Sequence, residues 1–247
     1  MIYIIAHKEF DNIAAGKKGY SVLQVGNGKS FGDFRDNEGE NISDKNKNYC
    51  ELTGLYWMWK NTSNEITGLV HYRRFFNNSF LFDNVLSEAD AAKILMRYDI
   101  ILPFQVTNSE TVKQDYCREC GYLKDLELTR EVINELSPDY VEDFDRLMNG
   151  NKVFYFNMFV CKRELLSRYC EWLFNILFTV ETKADLTGYD PYHQRIYGFL
   201  SERLLSLFVL HNNLKVYQMG VIMLDHPWSA KKKLLTGLKR EYYKLKQ

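Results

Sequence analysis

No stretch of this sequence stays apolar for the roughly 18 residues that a membrane-crossing helix needs. The strand-like start Met1–Ala6 gives way to charge too soon to read as a signal peptide. Net charge is also missing, since 32 basic residues balance 32 acidic ones. The balance is uneven, because Trp228–Gln247 holds seven Lys or Arg against Glu241 alone, a tail of +6 that leaves −6 on the preceding 227 residues. A nucleic-acid-binding body is therefore disfavoured. Cysteines number five, an odd count that, without a secretion signal, points to a reducing cytoplasmic compartment. Cys117 and Cys120 have the spacing of a metal or redox pair, but no second pair follows, and His193 and His211 are too remote to complete a zinc motif. Glycine signatures for phosphate fail as well. Around Gly26-Asn27-Gly28-Lys29-Ser30 a phosphate loop would need glycine where Leu23 stands, and a dinucleotide fingerprint would need it where Phe31 stands.

What remains is an ordinary soluble composition, 46% hydrophobic and 26% charged over 247 residues, with no internal repeat or low-complexity linker. That length can bury a large core. Aromatic residues reach 15%, a share that core filling explains and that favours a sugar-binding surface only weakly. Apolar spacing predicts strands at 3–6, 66–70, 100–102 and 153–156, the last extending or bending through Asn157 to Cys161. Helices are predicted at 49–60, 88–98, 109–117, 123–136, 164–178 and 196–211, with a further start at Ser137-Pro138. Residues 105–150 thus form a helical insertion.

The strand at 66–70 runs directly into His71-Tyr72-Arg73-Arg74. At the carboxyl end of a strand in an open α/β sheet, two guanidinium groups and an imidazole can grip a phosphate or a sugar-nucleotide pyrophosphate. Alternatively, these arginines pair with acidic surface residues. His7 falls just past the first strand, where a ligand is again within reach. Glu51 faces either the site or solvent. Asn157, inside an aromatic strand, needs a partner if buried, either backbone or a ligand hydroxyl. The loop 187–195 concentrates Tyr189, Asp190 and His193 at an element boundary. Glu202-Arg203, set among leucines, is either a helix-face boundary or a buried carboxylate with its own counter-ion. In the tail, Leu234, Leu235, Leu238, Tyr242 and Leu245 form an apolar stripe among lysines. Such a helix lies on an anionic membrane surface or packs on the body.

Gln24-Val25-Gly26, Arg35-Asp36-Asn37, Asn48-Tyr49-Cys50-Glu51-Leu52-Thr53, Tyr56-Trp57-Met58-Trp59-Lys60, Gly68 to Arg74, Asp190-Pro191-Tyr192 and Phe199 to Leu204 occur in this order. Together they resemble a family of capsular and exopolysaccharide biosynthesis glycosyltransferases formerly catalogued as a domain of unknown function, DUF4422. The resemblance runs from Met1 to about residue 227. It implies an α/β fold of GT-A type, a nucleotide-binding mixed sheet flanked by helices with the helical insertion, as one domain over 1–227; the basic amphipathic helix over 228–247 lies beyond it and is read from its own residues. It also implies a cytoplasmic enzyme that moves a sugar such as galactose, pyranose or furanose; a peripheral place on the inner face of the cell membrane rests instead on the charge and spacing of the tail. The donor would be a nucleotide sugar, UDP-linked, and the acceptor a lipid-linked oligosaccharide.

Where most such folds carry an Asp-x-Asp for a divalent ion, His-Tyr-Arg-Arg stands here, so arginines neutralise the diphosphate and no metal cofactor is expected. Manganese or magnesium held by Asp33 or Asp36 is the alternative. On that reading Arg73 and Arg74 meet the departing diphosphate, and His71 is a neutral donor or a third positive group. His7, Tyr72 and Asn157 complete the donor side. Asp190 or Glu202 is the expected base, and Glu51, Tyr189 and His193 lie on the acceptor side. A non-catalytic sugar-nucleotide or glycan binding module of a capsule assembly complex is the rival. A phosphoesterase is a third class, for which no metal cluster or covalent nucleophile is apparent.

Overall fold

Five consecutive apolar residues build β1 (Ile2–Ala6), and all five are buried. In the computed structural model, which describes residues 1–79 and 83–225, this strand has a core on each face. Tyr3 and Ile5 join one apolar cluster, Ile2, Ile4 and Ala6 the other, which is why the run does not alternate. β2 (Tyr20–Gln24) and β3 (Phe34–Arg35) continue the sheet in parallel on one side, and β4 (Ile66–His71) lies parallel on the other. Between β3 and β4 the expected helix forms in two pieces, α1 (Asn46–Tyr49) and α2 (Leu52–Asn61), broken where Cys50 takes φ +52°. The break is held locally: the Asn46 amide donates to Cys50 O and to Thr53 Oγ1, both at 2.9 Å, and Thr53 Oγ1 donates to the buried Asp36 carboxylate at 2.5 Å.

The polar residues after β4 are a hairpin turn. β5 begins at once (Arg74–Asn77), and His71 pairs directly with Arg74 across the turn at Tyr72-Arg73. α3 (Glu88–Ile94), β6 (Ile100–Pro103) and β7 (Val106–Thr107) follow. The helical insertion comprises α4 (Val112–Glu119), α5 (Leu123–Leu136) and α6 (Val141–Asn149), and its return strand β8 (Lys152–Val153) pairs with β7 in a small separate sheet. β9 (Phe159–Lys162), α7 (Arg163–Lys183), α8 (Ile196–His211) and β10 (Val216–Met223) complete the described chain. Arg163 ties α7 to the end of α2 by donating to Met58 O at 3.1 Å and to Trp59 O, a cation on the carbonyl end of a helix.

The open GT-A-like sheet expected from the sequence does not form. β9 runs antiparallel to both β4 and β6, β10 joins β6 to β5, and the hairpin joins β5 to β4. These five strands therefore close into a barrel, with β1, β2 and β3 as flanking strands beside β4. Gly68 permits the closure. A Cβ there would lie 2.8 Å from Val160 Cγ2 and 2.9 Å from Phe159 O, closer than β9 can accommodate without moving. Gly68→Ala should cost about 1–3 kcal/mol by overpacking, read as a lower urea midpoint with an unchanged slope; an unchanged midpoint would mean that β9 yields freely.

The strand expected at 153–156 is cut to two residues, because Phe156 (φ +82°) and Asn157 (φ +50°) take left-handed backbone before β9. The tail helix expected at 228–247 lies outside the described residues. Among those described, no helix is long and apolar enough to cross a membrane.

Candidate functional site

The hairpin sends its two arginines to different tasks. Arg73, at the turn, bonds Asp225 just past β10 at 2.7 Å, and its carbonyl accepts the Leu224 N–H at 2.9 Å. Arg74 stays inside, its guanidinium 4.6 Å from the centre of the Phe156 ring. The Arg74 Nε is buried without a hydrogen-bond partner among the described residues. Burial, then the nearby charge of Arg73, lowers the Arg74 pKa from its ordinary value. An orphaned, cavity-facing guanidinium is costly unless something negative completes it.

His71, opposite Arg74, hydrogen-bonds Phe156 O through Nε2. Burial lowers its pKa to about 4, and the charges of Arg74, Arg73 and Arg195 push the same way. It is therefore a neutral imidazole at pH 7. An unfolded imidazole takes up its proton near pH 6.5, so His71 contributes stability that is present above that pH and is lost as pH falls towards about 4. The loss amounts to roughly 3 kcal/mol. Urea melts of His71→Asn should accordingly show a weaker pH dependence than wild type between pH 7 and pH 4.5; equal slopes would mean that His71 is solvated.

Opposite the hairpin lies the segment Tyr155-Phe156-Asn157. Its left-handed pair turns the backbone so that Phe156 N–H donates to Glu202 Oε1 at 2.9 Å while Phe156 O meets His71. Asn157 Nδ2 donates to Glu51 Oε1 at 2.6 Å and to Gly198 O at 3.1 Å. Tyr155 OH donates to Asp115 Oδ2 at 2.8 Å. Arg203, only 1% exposed, lies between two carboxylates, bonding Glu202 Oε2 at 2.9 Å and Asp115 Oδ2 at 3.1 Å. Glu202 is thus paired, whereas Glu51, just before α2, receives the Asn157 amide and forms no ion pair among the described residues. Burial raises the pKa of both carboxyls. For Glu51 the Asn157 hydrogen bond and the charges of Arg195 and Arg74 oppose that rise.

These groups line a cavity of about 790 Å³ between the carboxyl end of β1, the hairpin, the Cys50 break and α8, a size suited to a small-molecule ligand. Of the residues singled out in the sequence, His7, Glu51, His71, Tyr72, Arg73, Arg74 and Glu202 face it together. Asn157 stands behind Glu51, 2% exposed. Tyr189, Asp190 and His193 are elsewhere. Asp190 accepts from the backbone N–H groups of Tyr192 and His193 at 2.8 and 2.9 Å and pairs with His193 Nδ1 at 2.7 Å, while Tyr189 OH bonds Asp125 at 2.5 Å. They brace the loop before α8. Sequence reasoning left Arg195, Lys47, Phe156 and Tyr155 out of the site although all lie in the cavity wall, and it named Arg203 only as a counter-ion for Glu202, the pairing that forms. Arg195 precedes α8, lies over the Tyr192 and Phe199 rings, and donates through Nε to Cys50 Sγ at 3.2 Å.

No three His, Cys, Asp or Glu side chains converge as a metal set among the described residues. Asp36 is committed to Thr53, Asp33 accepts the Val22 N–H at 2.7 Å, and the Asp143-Phe144-Asp145 pair on α6 is bound to Arg146, His211 and Arg130.

A solved structure similar to this one is the apo form of WbbM, described as a bifunctional glycosyltransferase, with a TM-score of 0.83 and 26% identity over 92% of this chain. The chain spans 45% of the WbbM chain. No curated protein matches the sequence. A family model described as a domain of unknown function, DUF4422, matches residues 1–213, and the chain belongs to that family.

Proposed function

We propose that the cavity binds a nucleotide sugar, UDP-linked, and transfers its sugar to a lipid-linked oligosaccharide in capsule or exopolysaccharide assembly. The likeness to WbbM supports glycosyl transfer in general. The observation that carries the reading is the Arg74 guanidinium, its Nε buried and unpartnered among the described residues, in one cavity with Arg195 and with a Glu51 carboxylate that has no ion pair among the described residues.

Glycosyl transfer needs positive charge where the nucleoside diphosphate departs and a base for the acceptor hydroxyl. Arg74 and Arg195 supply the first, and phosphate oxygens complete the hydrogen bond that the Arg74 Nε lacks. The N-terminus of α8, sixteen residues long and opening at Arg195, adds its dipole on the same side. Arg73 assists from the turn while Asp225 holds it. Guanidinium groups carry the charge in this reading, so chelator should leave activity intact.

Glu51 is the proposed base. Its raised pKa moves it towards working pH, and no ion pair competes for its oxygens. Glu202 is less suited, being occupied by Arg203 and Phe156 N. Asp190 is less suited still, because its hydrogen bonds to His193 and Tyr192 lower its pKa and it does not line the cavity. His7, at the end of β1, is placed beside the nucleoside. The test is incubation with a panel of nucleotide sugars, UDP-galactopyranose and UDP-galactofuranose included, and a lipid-linked acceptor, reading product mass and anomeric configuration together. Binding of UDP without transfer across the panel would replace this reading with a glycan- or nucleotide-binding module.

A further inference from the structure

The three residues Tyr155-Phe156-Asn157 touch nearly every charged group on the cavity floor. Phe156 reaches Glu202 through its N–H, His71 through its carbonyl and Arg74 through its ring, and Asn157 reaches Glu51. Two successive non-glycine residues with positive φ are uncommon, and such backbone persists where surrounding contacts determine it. Here those contacts are the site itself. Asparagine tolerates this conformation well, yet backbone preference does not explain its amide. The amide points at Glu51 and is anchored by Gly198 O at the start of α8.

We infer that Asn157 is a positioning residue that fixes the Glu51 carboxylate and holds it ionised for proton abstraction. The inference rests on the reading of Glu51 as base. An N–H donor aimed at one carboxylate oxygen stabilises the charged form and leaves the other oxygen to the acceptor hydroxyl. Asn157 itself makes no direct contact with the cavity, so it acts through Glu51.

The other groups around Glu51 come from every element packed on it. Arg74 lies on the hairpin, Arg195 and Glu202 at α8, Cys50 at the helix break and Tyr169 on α7. Glu202 is the one further carboxylate of the set, and Arg203 pairs it. Arg74 and Arg195 favour the ionised Glu51 by charge, but bound diphosphate would draw on that charge. The neutral amide of Asn157 would keep its effect when the donor is bound.

Two substitutions separate the amide from the backbone. Asn157→Gly accepts φ +50° without strain and deletes the donor. Asn157→Asp keeps the shape and sets a second carboxyl against Glu51, so that the two share a proton. In both, UDP affinity should stay within about threefold of wild type. The acid limb of kcat/KM against pH should move up by about one unit in the glycine variant and by more in the aspartate variant, a tenfold or larger loss below the limb. An unmoved limb in the glycine variant overturns the inference, whether or not kcat falls. Glu51→Gln, measured alongside, separates the two claims. If it is inactive while the Asn157 limb stays fixed, only the positioning role fails; if it is fully active, the choice of base fails with it.

Discussion

Glu51→Gln should lower kcat by about a hundred- to ten-thousand-fold, the range general-base catalysis contributes, while UDP binds as it does to wild type. The amide is nearly isosteric, so the cavity keeps its shape. What disappears is, among the described residues, the one cavity carboxylate that combines a pKa raised by burial with freedom from an ion pair. The wild-type acid limb should vanish with it, because the carboxyl must lose its proton to act: activity rises with pH through the Glu51 pKa and falls below it. The corresponding change at Glu202 should look different. Glu202→Gln leaves Arg203 paired with Asp115 alone and weakens the hold on Phe156 N, so its main effect is on stability. Steady-state kinetics across pH with UDP titrations on the same preparations distinguish the two, and a Glu51→Gln enzyme with wild-type kcat would remove Glu51 from the mechanism.

Arg74→Ala should cost about 3–4 kcal/mol in kcat/KM, the scale of losing one charge-stabilising donor in a closed site. Arg73→Ala should cost less. Both arginines line the cavity, but only Arg74 combines a buried, unpartnered Nε with a fixed place over the Phe156 ring. Arg73 is 42% exposed and already answers Asp225, so its removal chiefly loosens the junction between the turn and the end of β10. Arg74→Lys should recover only part of the loss, because an ammonium lacks the planar fork that meets two phosphate oxygens. Paired kcat/KM and UDP dissociation constants for the three variants test this order. Equal losses at Arg73 and Arg74 would mean that both guanidinium groups turn to phosphate.

Much of the frame was readable from local pattern. α5 and α8 fall at 123–136 and 196–211 as their apolar spacing requires, and β1 is the continuous apolar run of a strand covered on both faces, with β4 beside it broken only by the buried Thr67 and by Gly68 before His71. The barrel was not readable, since it depends on where β9 and β10 pair. β10 escaped attention altogether, and β9 approaches β4 at Gly68, whose missing side chain is legible in sequence but whose neighbour is not. Closure is a non-local event that strand and helix periodicity cannot carry.

The site divides in the same way. His71-Tyr72-Arg73-Arg74 stood out as a polar break after an apolar strand, and it does form the cavity floor, but the hairpin that sets Arg73 and Arg74 to separate tasks is tertiary. Tyr155-Phe156-Asn157 has the composition of a strand and the backbone of a switchback, since its hydrogen bonds to His71, Glu202 and Glu51 override local preference. Asp190 and His193 have the residue types of catalysis and the geometry of a loop brace. Arg203 was legible as a counter-ion for a buried Glu202, which it is, whereas Arg195 did not stand out because a cation at the start of a leucine-rich helix reads locally as a face boundary.

The measurement that tests the central claim most directly is sugar transfer itself, followed by mass spectrometry with wild-type protein, Glu51→Gln and Arg74→Ala side by side on one nucleotide-sugar panel and one lipid-linked acceptor. Transfer of a single sugar by wild type, retained in the presence of chelator and lost by both variants while they remain folded, is the expected result. Transfer undiminished in both variants, or donor hydrolysis with no glycosylated acceptor, would contradict it.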